Sequence, residues 1–468
     1  MDRAAPGALK PHPRLTRRSS FALDASILVA LLAASSAPTP LYAIYQDQWG
    51  FSSLTLTVIF SAYSMAMLLA LLMTGSLSDH LGRRPVLVGA LAVEASAMAL
   101  IAAADGVGQL LLARVLQGLA TGLATSAVGA ALLELEHPRR AGSAALTNSV
   151  APMAGMAIGV LGSTFLVQCA PAPGPTVHLA LLGVFVLQSL ALLFTSETAR
   201  RRPGALRSLR PTVRVPASAR KAMLIAAPGV VAVWSLGGFT SSLGPGLARL
   251  IDPDVPQAIG GLLFFTLTTS AVLAVWAVRR LPATTPLLLG AGAVLPGVGL
   301  ILLSVQVNSL TALFAGTALA GVGFGAVSQG ALRTVLPRVA TADRASTLAA
   351  YYVLSYLAMS LPTVLAGLLT VHYGLLTTTL VFGATVAAAG TTALAVVLRG
   401  GRMQTRRSQA TALPQPGTAG TTTASVRLAS LTCPTPSRAT CPSRTGQGDF
   451  DGSPSAPARL RCPTTARP

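Results

Sequence analysis

Two acids and two arginines, Asp79, Glu94, Arg83 and Arg114, hold the positions in this chain where charge could do chemistry, because each interrupts or adjoins a long apolar run. The chemistry open to them is ion pairing and proton exchange. Bond-making finds no support elsewhere. His12, His80, His137, His178 and His372 fall in tails, loops or the ends of apolar runs, with no Ser-His-Asp or metal spacing among them. Of the four cysteines, Cys169, Cys433, Cys441 and Cys462, three sit in a low-complexity tail at spacings unlike a zinc site. No glycine loop of the phosphate-cradling type occurs, so ATP is not expected to bind. The expectation is a protein that is not an enzyme, holds no metal or cofactor, and takes its energy from a gradient, with protons as the coupling ion.

The elements that must position these charges are membrane helices. Hydrophobic residues make up 52% of the 468 residues and charged ones 10%, against roughly 25% charged in soluble domains. Runs of about 20 apolar residues match the length a helix needs to cross the hydrocarbon of a bilayer. They lack the short alternation of a membrane β-barrel, and a backbone in lipid must satisfy its own hydrogen bonds, so the spans are helical. The pattern predicts an all-α membrane protein of twelve transmembrane helices at 24–43, 54–74, 85–104, 107–133, 144–167, 177–195, 222–247, 257–278, 286–305, 310–335, 346–370 and 376–398.

The formal net charge of +20 suggests nucleic acid until its placement is read. With twelve spans, Arg83, Arg84, Arg139, Arg140, Arg279, Arg280, Arg333, Arg338, Arg344 and the N-terminal basic residues share one side, and Arg249 stands alone on the other. Connections rich in Lys and Arg stay in the cytoplasm. Both termini are therefore expected there, with the lipid bilayer and a small molecule as partners, no nucleic acid, and a functional monomer. A signal peptide is the rival reading of Arg17, Arg18 and the small residues Ala33 to Ala37, but apolar sequence continues past Pro38 and Pro40 and its removal would scramble the alternation. The chain divides into an N-terminal tail (1–20), a six-helix half (21–196), a basic linker (197–221), a second half (222–398) and a tail (399–468) too poor in aliphatic residues to bury a core. Aligning Gly118 with Gly321 also aligns Gly122 with Gly325 and Ser143 with Ser346, a weak internal repeat.

The loop after the second run reads Gly75-Ser-Leu-Ser-Asp79-His-Leu-Gly82-Arg83-Arg84-Pro85. It resembles the signature of the major facilitator superfamily between helices 2 and 3, with His80 where a basic residue is usual. The resemblance implies two pseudo-symmetric six-helix bundles. It also implies that Gly75 lets helices approach closely, that Gly82 permits a tight turn, and that Asp79 is a latch facing the positive start of helix 11. Arg83 would pair with Glu134 or Glu136 at the end of helix 4, and Arg84 completes the switch. Arg114-Val-Leu-Gln117-Gly118 resembles a second family motif, which in proton-coupled members is associated with coupling. Glu94, near the middle of the preceding helix, is the expected partner of Arg114, as a coupling acid or in a structural ion pair.

Further echoes cover residues 21–398. Ser196-Glu197-Thr198 resembles the motif closing helix 6, Arg279-Arg280 a decayed copy of the first signature, and Pro152, Gly155, Gly159 and Gly162 a degenerate antiporter motif that equally fits close helix packing. Tyr42, Tyr63, Asn148, Trp234, Gln329, Tyr352 and Tyr356 lie on helices that line the cavity in the family. So few charges there imply a neutral or hydrophobic substrate. Similarity to bacterial efflux permeases implies proton antiport export across the bacterial inner (plasma) membrane. Proton symport uptake of a small metabolite, or a non-transporting receptor or scaffold, are the alternatives.

Overall fold

Side-chain caps at Thr16, Ser52 and Ser309 start three of the long helices, and prolines and glycines interrupt others. The computed structural model describes residues 15–411, save Ser76, Ala141, Gln257, residues 341–342 and several positions within 200–212. The linker residues Arg200, Arg201, Arg202, Arg207 and Arg210, most of the N-terminal tail and everything after Thr411 lie outside the described residues.

In the first half α1 spans Arg17–Ser36, α2 Tyr42–Trp49, α3 Ser53–Thr74, α4 Leu77–Leu81, α5 Arg83–Ala102, α6 Val107–Glu134, α7 Ser143–Cys169 and α8 Pro173–Leu192. The second half holds α9 (Ala217–Ser242), α10 (Gly244–Ile251), α11 (Ala258–Val278), α12 (Thr284–Gln306), α13 (Leu310–Val335) and α14 (Arg344–Thr411). Eleven of these are long and apolar enough to cross a membrane. The last is really two: Gly374, at φ 77° and ψ 164°, breaks α14 into two limbs, which completes the twelve crossings.

The bounds depart most from the hydropathy reading in three spans, the first, the seventh and the last. The first span starts at Arg17 rather than residue 24, because the Thr16 side chain accepts the Ser19 N–H and caps it. It stops at Ser36, where Pro38 and Pro40 cannot continue a helix, and α2 follows as a separate piece. The seventh span likewise ends at Ser242, and α10 takes up the rest. Finally, α14 runs on to Thr411, past the expected end at Leu398 and into the stretch expected to lack structure.

The weak repeat marks the same packing in both halves. A Cβ on Gly118 would fall 2.3 Å from the Tyr63 carbonyl oxygen, and one on Gly122 2.6 Å from that of Met67, both on α3. In the second half, Gly321 and Gly325 sit with the same intimacy on Leu267 and Ala271 of α11, each 2.3 Å from the carbonyl oxygen. Lipid tails are as apolar as leucine, so membrane helices associate through such close fit rather than through hydrophobic exclusion.

The halves meet along α3 against α14 and α7 against α11. The face carrying Arg83, Arg139 and Arg279 is called here the basic face, and the opposite one the far face. At the far face Gly261 lies against Thr164 and Pro40, Gly367 against Thr57 and Ser53, and Arg249 pairs with Asp47 at 3.6 Å. Deeper, Ser61 donates to the Ser360 carbonyl (3.4 Å) and Tyr356 to the Met67 sulfur (3.1 Å). Among the described residues, no hydrogen bond or ion pair joins the halves nearer the basic face than Met67.

The glycine contacts give a direct test. Gly122→Ala and Gly325→Ala should each lower the melting temperature of the purified protein by the equivalent of about 1–3 kcal/mol of overpacking. Gly89→Ala, whose added Cβ meets nothing within 4 Å, should not. Equal melting of all three would contradict the packing.

Candidate functional site

Beneath the basic face, one turn of helix (α4) places Asp79 and Arg83 four residues apart, and Gly82 at φ +101° turns the chain between α4 and α5. Arg83 is the hub. Its guanidinium, 9% exposed, pairs with Asp79 at 2.5 Å and Glu134 at 3.0 Å, and donates to the Ser78 hydroxyl at 2.5 Å. Glu134 also accepts from Thr198 (2.5 Å). The carboxylate of Glu197 takes the free N–H groups of Arg83 and Arg84 at 2.8 and 3.1 Å, which caps α5. It needs the missing side chain of Gly82, whose Cβ would lie 2.6 Å from a Glu197 oxygen.

Three expectations for this cluster change. Of the two glutamates expected for Arg83 it is Glu134 that pairs with it, while Glu136 caps α7, accepting from the Ala144 N–H (2.9 Å) and the Ser143 hydroxyl (3.2 Å). The Ala144 N–H, followed by the Ser143 hydroxyl, holds the Glu136 carboxyl below the usual glutamate value. Its capping bond is thus present at neutral pH and is lost only as pH falls through that lowered value. Gly75 approaches no other helix: its nearest neighbour is the Leu71 carbonyl of its own α3, which it terminates. Asp79 is bonded within its own half rather than to the start of α14.

The second cluster is buried in the first half. Arg114 is 0% exposed, and one of its terminal nitrogens donates to the Ser35 carbonyl (3.2 Å) and the Gln117 side chain (2.5 Å). The guanidinium lies 4.4 Å from the ring centre of Tyr63, a cation–π contact worth about 2 kcal/mol when desolvated. Glu94 is equally buried, but it forms no ion pair with Arg114; its oxygen faces the Thr121 hydroxyl at 3.4 Å. The acid and the arginine thus share the core of the first half without a direct pair. Nε and one terminal nitrogen of Arg114, one oxygen of Glu94, the Gln117 amide nitrogen and the Tyr42 hydroxyl have no protein partner.

From Tyr63 a chain of contacts crosses to the second half. The hydroxyls of Tyr63 and Tyr356 both donate to the Met67 sulfur, at 3.4 and 3.1 Å. Tyr356 packs edge-on to Trp234, ring centres 5.3 Å apart, and lies 6.2 Å from Tyr352, while Trp234 reaches Phe324 at 5.5 Å. Of the expected cavity residues, Tyr63, Trp234, Tyr352 and Tyr356 thus come together. Tyr42 is instead enclosed in the core of the first half, and Asn148 points at the Gly129 carbonyl of α6 (3.4 Å). Gln329 is half-buried on α13.

With this geometry stands a match over most of the chain. The sequence model of the Major Facilitator Superfamily covers residues 25–362. This chain belongs to the major facilitator superfamily. Solved structures with the same fold include the human organic anion transporter MFSD10 (TETRAN), 19% identical with a TM-score of 0.59, covering 81% of this chain and 100% of that one. Another is a point mutant of the nucleoside transporter NupG, 13% identical with a TM-score of 0.64, covering 80% and 99%. No curated protein matches the chain. The protein is accordingly a multi-pass secondary transporter and not an enzyme.

Three residues of these clusters have no counterpart among the expected site residues. Asp24, 4% exposed, opens with Arg83, Arg84 and Thr198 on a cavity of about 20 Å³, room for one water. The apolar run begins only at this residue, so hydropathy puts Asp24 at the water surface, whereas α1 starts two turns earlier and carries it inside. Arg17, read as a flanking charge, instead closes α6 by donating to the carbonyls of Glu134, Leu135 and Glu136 at 3.0, 3.1 and 2.7 Å. Phe324 was masked by its glycine-rich surroundings. His178 is not at the water surface but fully buried, its Nδ1 2.7 Å from the Gly174 carbonyl. Gly155 and Gly159 pack on α1, while Gly162 meets nothing, so that motif serves helix packing.

The α5 cap is testable by a double-mutant cycle. Glu197→Ala should destabilise by about 1 kcal/mol as a lost cap. Gly82→Ala should cost more, from its φ and from the crowded carboxylate. Because the crowding disappears with Glu197, the double variant should melt higher than additivity requires; strict additivity would show that the two do not touch.

Proposed function

We propose that this transporter exports a small neutral or hydrophobic molecule in exchange for protons, by alternating access of its two halves to either side of the membrane. The basic face is the cytoplasmic one, following the arginine asymmetry of the connections. The observation that carries the reading is the line of contacts from Arg114 through Tyr63 and Met67 to Tyr356 and Trp234, which ties a buried cation in one half to an aromatic wall in the other. An aromatic wall with an unpartnered indole N–H suits a flat or apolar molecule that offers one acceptor. The organic anion and nucleoside carried by the two structural relatives differ too much in charge to choose between substrates.

In this mechanism the present conformation is the one closed at the far face. Closure at the basic face brings Asp79 to the start of α14, whose helix dipole attracts it, and leaves Arg83 to Glu134. The coupling proton exchanges at Glu94. With Glu94 neutral, Arg114 keeps its contacts to Ser35, Gln117 and Tyr63; with Glu94 charged, Arg114 is drawn from Tyr63 and the link between the halves loosens. A ligand or proton can bias the two states only by what it gains differentially in one of them.

Two proteoliposome measurements test this. Asp79→Asn should reduce flux at least tenfold, the effect of about 1.4 kcal/mol on the switch, with normal yield and melting. Near-normal flux would remove the latch. Glu94→Gln should abolish accumulation driven by a pH gradient while sparing substrate exchange; an unchanged pH dependence would remove Glu94 from coupling.

A further inference from the structure

A second feature lies outside the transport path, on the lipid-facing surface just under the basic face. Arg84, Pro85, Val88 and Gly89 share one side of α5, and Leu193 and Glu197 follow the end of α8 alongside. Together they bound a groove of about 490 Å³. Gly89 forms part of its floor, since a Cβ there would meet nothing within 4 Å. The groove continues into residues exposed toward lipid: Leu193 is 48% exposed, Leu190 50% and Val93 38%. One end is charged. The Arg84 backbone N–H is bonded, but its guanidinium has no hydrogen bond or ion pair among the described residues. Glu197 forms no ion pair with it; that carboxylate is turned to the N–H groups of Arg83, Arg84 and Ala199.

We propose that this groove is a binding site for one anionic phospholipid of the leaflet at the basic face. Its phosphate lies on Arg84 and an acyl chain lies along Val88, Gly89 and Leu193. The argument for a charged lipid is one of selectivity. A lipid tail leaving bulk bilayer for an apolar groove gains almost nothing, since the two surroundings are equally apolar. Preference must therefore come from the headgroup, where an arginine near the surface contributes about 1 kcal/mol toward an anionic lipid. A soluble anion would gain the same charge contact without any use for the apolar floor, and a zwitterionic lipid would use the floor but gain little from the charge. Only an anionic lipid uses both.

The test is native mass spectrometry of the full chain in detergent, titrated with phosphatidylglycerol, phosphatidylcholine or glycerol phosphate. The expected result is about a fivefold tighter hold on phosphatidylglycerol than on phosphatidylcholine, the ratio equivalent to one such charge contact. Arg84→Gln should abolish the preference and Arg84→Lys preserve it. Gly89→Phe should lose the tightly held phosphatidylglycerol with melting unchanged, which separates the groove from the arginines of the linker. Equal retention of the two lipids by the unaltered protein, a preference that survives Gly89→Phe, or displacement of the lipid by equimolar glycerol phosphate would each overturn the proposal.

Discussion

The contact between α3 and α6 at Gly118 and Gly122 is the constraint on which the functional geometry rests. Two helices can come this close only where one of them has no side chain, and the carbonyl of Tyr63 occupies the space a Cβ on Gly118 would take. One turn before Gly118 is Arg114, so the same approach lays the guanidinium on the ring of Tyr63. One turn beyond Tyr63 is Met67, which hands the contact on to Tyr356. Backbone proximity, rather than any attraction between charges, thus fixes where the buried cation sits.

The two faces of the molecule are held by different means. At the far face the Asp47–Arg249 pair is partly exposed, with side chains 59% and 32% accessible, and pairs of that kind contribute about 0–1 kcal/mol. Closure there rests on the fit of Gly261 and Gly367 against the other half. At the basic face the ionic groups are many but they bind within their own half: Arg83 holds Asp79 and Glu134, Glu197 and Glu136 satisfy helix starts, and Arg333 holds the end of α11. Each half is therefore rigid by itself near that surface, while the union between halves depends on a few contacts that can be given up without leaving a buried charge alone.

The order and number of spans were legible because lipid imposes a length and a sidedness that composition records directly. The turn at Gly82 was legible too, through the resemblance of its loop to the family signature between helices 2 and 3. What stayed hidden was the direction in which side chains point. A helix that is apolar all round carries no periodic signal of its buried side, so Tyr42 and Asn148 could not be told from Tyr63 and Trp234. Arg17 and Glu197 were unreadable for another reason: their partners are backbone groups of helices far along the chain, and backbone groups have no sequence signature. Breaks at Pro38 and Pro40 vanished inside a continuous apolar run, which hydropathy sums without regard to the backbone.

Gly374 joins the last two crossings with a single reversed residue and no intervening loop. A connection of that kind has no slack. Any tilt of the limb lying against α3 is passed as torque to the limb behind it, so the pair must swing like the leaves of a pinned shutter instead of sliding past each other. Lengthening the chain at this pin would leave both leaves intact yet uncouple their swing.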